Sequence, residues 1–263
     1  MMESVNPRLS LQTLDAEQGR LCERLAALTT AERETSSNLT GWQVNDLAVH
    51  ITRVCDSILR AVQRAQQGDR TSAFGPAAKP REDEIRAMTP ADWAALQRSE
   101  YGQLSRIIGG LSDADLEEMS FPHPQGERPV SWYCTQLLAE TTFHRWDLEH
   151  SLGADGPLDD ALAAYLLPFL LEPSRLLFGA KRSDGPSQSF TVSDGEHQWT
   201  LNVTSEGCAV AATSERAEAT ITASPGWLAL AVYGRVRIDR AEFRLTGGTD
   251  VADRFAVIFG PNQ

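Results

Sequence analysis

Val130-Ser-Trp-Tyr-Cys-Thr-Gln-Leu-Leu-Ala-Glu-Thr-Thr-Phe-His-Arg-Trp-Asp-Leu-Glu-His150 reads as one helix, and it carries Glu140 and His144 four residues apart. On a helix that spacing stacks the two side chains on one face, one turn above the other. At roughly 100° per residue, Leu137, Thr141, Leu148 and Leu152 share that face, while Arg145, Glu149 and the side of Trp146 point elsewhere. A carboxylate and an imidazole therefore sit inside an apolar stripe, where each needs a partner. A divalent metal satisfies both with one atom. A Glu–His hydrogen bond in a core does so as well, and these two residues leave both readings open.

A second helix adds a third side chain. After Thr40-Gly-Trp42, the apolar residues Val44, Leu47, Ala48, Ile51, Val54, Cys55, Ile58, Leu59 and Val62 keep the helical period until Gly68 stops it. His50 lies on the edge of that stripe, where a lone histidine is usually a half-exposed surface residue. Four antiparallel helices, however, bring facing side chains to one point in a bundle core, where metal sites are commonly built. His50 with Glu140 and His144 makes a set of two histidines and one carboxylate. Three protein ligands with open positions suit a catalytic metal, whereas a structural zinc is closed by four. Asp46 and Asp147, one turn from His50 and His144, are expected to accept the second ring N–H of each.

Around these two helices the pattern extends to the rest of a bundle. Leu9 to Leu28 reads as a first amphipathic helix, and Thr89-Pro-Ala-Asp-Trp caps another that runs to about Ile108. Thr71 to Arg86, rich in Ala, Gly, Pro and charge, reads as a loop that could cover a site. Leu111 to Pro129 reads as a long connection with a short helical piece at Asp113 to Glu118, and His123, between two prolines, as a loop residue. Leu158 to Phe178 reads as a fifth helix, bent or broken at Pro168 and Pro173.

After Gly179 the texture changes. Ser183-Asp-Gly-Pro-Ser is linker-like, and from Ser189 the alternation has period two: Phe190 and Val192; Trp199, Leu201 and Val203; Cys208, Val210 and Ala212; Ala219, Ile221 and Ala223. Asp194-Gly195 and Ser205-Glu-Gly207 supply hairpin turns. Ser224-Pro-Gly-Trp opens a helix to about Tyr233, Phe243 to Leu245 is a strand, and Thr249 to Phe259 a last helix. The expected fold class is multidomain, α and α+β: a four-helix bundle over residues 1–180, then a small α+β domain with an antiparallel sheet over 181–263.

The chain has 263 residues, 41% hydrophobic and 23% charged, ordinary for a globular protein of two domains. A formal net charge of −12 argues against nucleic acid and anionic membrane as partners. Cys22, Cys55, Cys134 and Cys208 form no CxxC pair and read as reduced core residues. With no apolar leader and no long apolar run, a cytoplasmic protein, monomer or homodimer, is expected. Asn38-Leu-Thr and Asn202-Val-Thr then match the glycosylation pattern only by chance. Trp42, Trp132 and Trp146 read as packing anchors, and His150 and His197 as surface residues.

Gly-Trp-Gln-Val-Asn-Asp-Leu-Ala-Val-His50, Glu140-Thr-Thr-Phe-His144-Arg-Trp-Asp147 and Trp227-Leu-Ala-Leu-Ala-Val-Tyr-Gly-Arg235 together resemble the mycothiol-dependent maleylpyruvate isomerase family of the DinB-like superfamily, over the whole length. The resemblance implies that His50, Glu140 and His144 bind a divalent metal, usually taken as zinc. It implies a catalytic arginine near the substrate at Arg235, with Arg237 and Arg240 close by, and mycothiol as the thiol cosubstrate.

A metal held by two imidazoles and one carboxylate can bind an external thiol as its thiolate at neutral pH. An isomerase would return that thiol after adding it to a small-molecule electrophile, and a thiol S-transferase would leave it attached. A metal- or ligand-binding module without turnover is the alternative from another class. Metal-assisted hydrolysis, with Asp147 as base, lacks an HExxH motif to support it.

Overall fold

In a computed structural model of the chain the described residues are 5–124, 126–172, 187–204, 207–211 and 217–259. They form two compact units, one of Asn6–Asp155 and one from Gly156 onward. The first contains α1 (Pro7–Ala26), α2 (Thr30–Glu34), α3 (Val44–Gln66), α4 (Lys79–Arg86), α5 (Pro90–Gly109), α6 (Asp113–Glu118), a hairpin of β1 (Ser120–His123) and β2 (Gly126–Pro129), and α7 (Val130–Ser151).

Two of the long helices, α1 and α5, start at side-chain caps that the sequence signals. Asn6 accepts hydrogen bonds from the N–H groups of Arg8 and Leu9 ahead of Pro7, and Thr89 with Asp92 forms a capping box ahead of Pro90. α1 and α3 each pack against both α5 and α7. The consecutive long helices α1 and α3 thus stand diagonally across a four-helix bundle, and residues 27–43 cross its end. Leu21, Cys22, Leu25, Val44, Leu47, Ala48, Ile51, Trp93, Ala94 and Leu148 fill the core there, each large apolar side chain contributing about 1.5–3 kcal/mol. Polar pins cross the same core. Gln97 Nε2 donates to Gln18 Oε1 and Gln18 Nε2 to Thr141 Oγ1, each at 3.0 Å, fixing the register of three helices.

Two connections are more ordered than their composition suggests. The segment expected as a loop from Thr71 to Arg86 contains a turn of 3-10 helix at Gly75–Ala78 and then α4. Ile85 is its buried anchor, and its carbonyl accepts the Trp93 indole N–H at 2.6 Å. His123, expected in a loop, lies instead in β1, its ring 5.2 Å from Phe74 and 5.1 Å from Trp132. Four-residue strands interrupted by proline carry too little alternation to be read in advance.

The second unit has α8 (Asp160–Leu170), a sheet of β3 (Gln188–Ser193), β4 (Gln198–Thr204), β5 (Gly207–Ala211), β6 (Ala219–Thr222) and β7 (Arg244–Thr246), and helices α9 (Pro225–Val232) and α10 (Val251–Phe259). The strand order is β5-β4-β3-β6-β7; all neighbours are antiparallel except β3 and β6, which run parallel. Asp194 and Gly195 form the β3–β4 turn, with φ +99° at the glycine. The Ser205-Glu206 turn, Ala212, Pro173 and the linker-like run at 183–187 lie outside or at the margin of the described residues.

The sequence pattern assigns the fifth helix to the bundle domain and puts the boundary at residue 180. In the structure that helix, α8, keeps Pro168 within it and packs against α9 of the second unit, so the division falls between Asp155 and Gly156. Asp160 Oδ1 accepts the Gly226 N–H at 2.9 Å, and a Cβ on Gly226 would stand 2.2 Å from the Leu158 carbonyl. Apolar density alone does not say which neighbour a helix packs on. Among the described residues no helix is long and apolar enough to cross a membrane.

Candidate metal centre

α7 turns Glu140 and His144 to one face, with His144 Nε2 3.1 Å from Glu140 Oε2. His50, on the adjacent α3, brings its Nε2 to 4.0 Å from the same carboxylate oxygen. The two imidazole rings lie 4.8 Å apart and nearly perpendicular. One ligand atom from each of His50, Glu140 and His144 lies within 4.8 Å of the others, and no second such group occurs among the described residues. Zinc bonds of about 2.0–2.1 Å in a tetrahedron space neighbouring ligands at about 3.3 Å. Glu140 and His144 stand near that spacing and His50, at 4.0 Å from the carboxylate, lies outside it, so two nitrogens and one oxygen fit the cation in type and His50 would move inward to complete the set.

Around the three, further side chains fix orientation. Glu140 Oε1 accepts a hydrogen bond from Gln136 Nε2 at 2.6 Å, which leaves Oε2 turned to the two imidazoles. His144 Nδ1 is 2.9 Å from Asp147 Oδ2, and Asp147 is fully buried. Burial pushes the His144 imidazole down, but the hydrogen bonds and charges of Asp147 and Glu140 outweigh it and raise the pKa to about 9. At neutral pH the ring therefore carries both protons, one facing Asp147 and one facing Glu140; losing the second to a cation would leave the proton on Nδ1 and the Nε2 lone pair towards the site. The expectation for Asp147 as the partner of His144 holds.

Asn38 and Gln136 are the site residues that sequence reasoning missed. Asn38 Nδ2 donates to Asp147 Oδ1 at 2.7 Å, and its own amide oxygen accepts from Ser151 Oγ at 3.1 Å. A contact across 109 positions leaves no local signal. Gln136, one turn before Glu140, was readable from helical spacing.

Asp46 does not serve His50. It accepts the Gln43 N–H as the acid of a capping box at the start of α3 and pairs with Arg86 at 2.5 Å. Those two partners hold its carboxyl below the ordinary range against the upward push of burial. Arg53 takes the position instead, with Nη2 3.1 Å from His50 Nδ1. Trp42 packs edge-on to His50 at 5.1 Å, so residues 38–42 touch the surroundings of both histidines.

All four cysteines are free and buried. Burial raises every one of these thiols, Cys134 to about 12 and Cys208 to about 11, so none is a thiolate nucleophile at neutral pH. Arg235 lies in the second unit just past α9, with its guanidinium 4.9 Å from the Tyr233 ring and Nη1 3.3 Å from the Tyr233 carbonyl. Arg237 is engaged by Asp239 and Asp253, and Arg240 lies over Trp227 beside Glu242.

The family model described as the mycothiol maleylpyruvate isomerase N-terminal domain matches residues 14–149, just over half of the 263. The chain belongs to the mycothiol maleylpyruvate isomerase N-terminal domain family. The matched span of this isomerase-family domain takes in His50, Glu140 and His144 and stops before Arg235. No curated protein matches the chain by sequence. Among solved structures, that of the mycothiol-dependent maleylpyruvate isomerase is similar at a TM-score of 0.64 and 16% identity, covering 91% of this chain and 92% of that one. A variant of that isomerase with one histidine replaced by alanine gives the same figures. YfiT from Bacillus subtilis, described as a probable metal-dependent hydrolase with an unusual four-helix bundle topology, gives 0.44 at 15% identity over 57% of this chain and 89% of its own. At this identity the likeness to the isomerase is one of fold alone.

Proposed function

We propose that this chain is a cytoplasmic, metal-dependent enzyme that uses a low-molecular-weight thiol, mycothiol, to isomerise a small electrophile of the maleylpyruvate type. The observation that carries the reading is the convergence of His50, Glu140 and His144 on one point. We take zinc as the cation, because two imidazoles and a carboxylate match its ligand preference. When bound, the cation supplies the means to hold an external thiol without its proton.

The chain's own groups divide the remaining tasks. Asp147, backed by Asn38, holds His144 in the tautomer that presents Nε2. Gln136 holds Glu140 in place through its other oxygen. The buried cysteines leave sulfur chemistry to an external thiol. That sulfur would form a bond to one carbon of the activated double bond while the π electrons move onto the conjugated carbonyl oxygen. Rotation about the resulting single bond and return of the electrons would expel the thiol unchanged. We assign Arg235 to the anionic end of the electrophile, since a guanidinium binds a carboxylate in a two-point fork; the resemblance of Trp227-Leu-Ala-Leu-Ala-Val-Tyr-Gly-Arg235 to the family supports this choice over Arg237 and Arg240.

Incubating the purified protein with zinc, mycothiol and maleylpyruvate, and following free thiol together with substrate absorbance, tests the proposal. Thiol required but recovered is the expected result. Thiol consumed in step with the electrophile would make the chain an S-transferase, and bound metal with neither change would leave a binding protein.

A further inference from the structure

The two histidines of the centre are held in opposite ways. His144 has a carboxylate, Asp147, at Nδ1, so that on ligation the proton can stay there while Nε2 takes the cation. His50 has a guanidinium at that place: Arg53 Nη2 lies 3.1 Å from Nδ1. An arginine side chain carries only donors, so this contact requires the lone pair on Nδ1 and the proton on Nε2, the atom that faces Glu140. Ligation through Nε2 requires the reverse, with the proton on Nδ1 pointing straight at the Arg53 N–H.

Arg53 is anchored from its other side. Its buried Nε stands 3.5 Å from Glu82 Oε2 on α4 while Nη2 stays on His50, so the carboxylate helps hold the guanidinium against the ring.

We propose that Arg53 is a positioning residue that restrains the metal centre, holding His50 in the tautomer unsuited to ligation. The inference rests on the reading of His50, Glu140 and His144 as a metal site. Its consequence is an exchangeable cation held less tightly than the three ligands alone would allow.

The test uses the full chain and a readout independent of turnover. Zinc affinity is measured by competition with a chromophoric chelator for the wild type, Arg53→Gln and Arg53→Met, alongside nitrogen-15 shifts of the histidine rings before zinc is added. Both substitutions remove the same charge, but only glutamine offers an acceptor to Nδ1–H. Arg53→Gln is expected to bind zinc about tenfold more tightly than the wild type, in the range of effects at residues that orient metal ligands, and more tightly than Arg53→Met. The His50 ring signal should move from the Nε2–H to the Nδ1–H tautomer. Equal gains in both variants, a loss in Arg53→Gln, or a wild-type His50 already carrying its proton on Nδ1 would overturn the restraint. A wild-type chain that takes up no zinc would overturn the metal centre itself and the restraint with it.

Discussion

Glu140 is positioned through both oxygens: one is fixed by Gln136 and the other faces two imidazoles. Removing any of the three converging groups should therefore lower zinc affinity by more than about tenfold, measured by elemental analysis after gel filtration of His50→Ala, Glu140→Ala and His144→Ala. Full metal retention in all three would refute the site. Asn38→Ala, which releases Asp147 without touching a ligand, should cost about tenfold in affinity with the circular dichroism spectrum unchanged. A separate expectation concerns Glu100. Burial first, then the neighbouring Asp56, raise its pKa from 4.5 to about 8 against the opposing pull of Arg81. Its native form thus keeps a proton that the unfolded chain releases, so stability falls as pH rises from about 4.5 towards 8. The slope is at most about 1.4 kcal/mol per pH unit, and denaturant titrations of Glu100→Gln should lack it. At this scale the convergence of His50, Glu140 and His144 was legible, because a polar pair one helical turn apart inside an apolar stripe calls for a partner from a facing helix. Asp46 was misread because capping a helix and backing a ligand draw on the same residue type at the same spacing. Asn38 was invisible because its partner is brought to it only by the crossing of the bundle end.

Among the elements, the crossing segment between α2 and α3 carries the most site geometry for its length. Gly41 within it has φ +81°, a conformation that costs an L side chain about 1–2 kcal/mol. No heavy atom lies within 4 Å of the Cβ a substitution would add. Gly41→Ala should accordingly destabilise by about that amount through the backbone alone, seen as a lower urea midpoint with an unchanged slope. Because Trp42 and Asn38 flank it, the same change should weaken zinc binding; wild-type affinity in a destabilised Gly41→Ala would separate the loop from the centre. α1, α3, α5 and α7 were legible from period and caps. α4 was not: its eight residues bury one large apolar side chain, Ile85, and its fold depends on Trp93 from the next helix.

Taken whole, the molecule joins a bundle that carries a candidate cation site to a mixed α+β unit. A ligand that binds only the native state stabilises it by mass action, about 2.7 kcal/mol at a hundredfold excess over its dissociation constant. Zinc should raise the resistance of the wild type to denaturant by that order, a chelator should reverse it, and His144→Ala should not respond. The two-part organisation was legible from the switch between helical and alternating periods. The position of the division was not, because an apolar helix next to a bundle gives no hint that it serves the part that follows.

The joint at Gly226 has a practical outcome for anyone dividing the gene. With the Gly226 N–H bonded to the Asp160 carboxylate and no room for even a methyl group against the Leu158 carbonyl, the start of α8 is seated tightly on α9. A fragment ending at residue 180 would carry Leu162, Leu166 and Leu167 as a greasy stump stripped of that seat. A shorter one ending at Asp155 should stay dispersed at concentrations where the longer one precipitates.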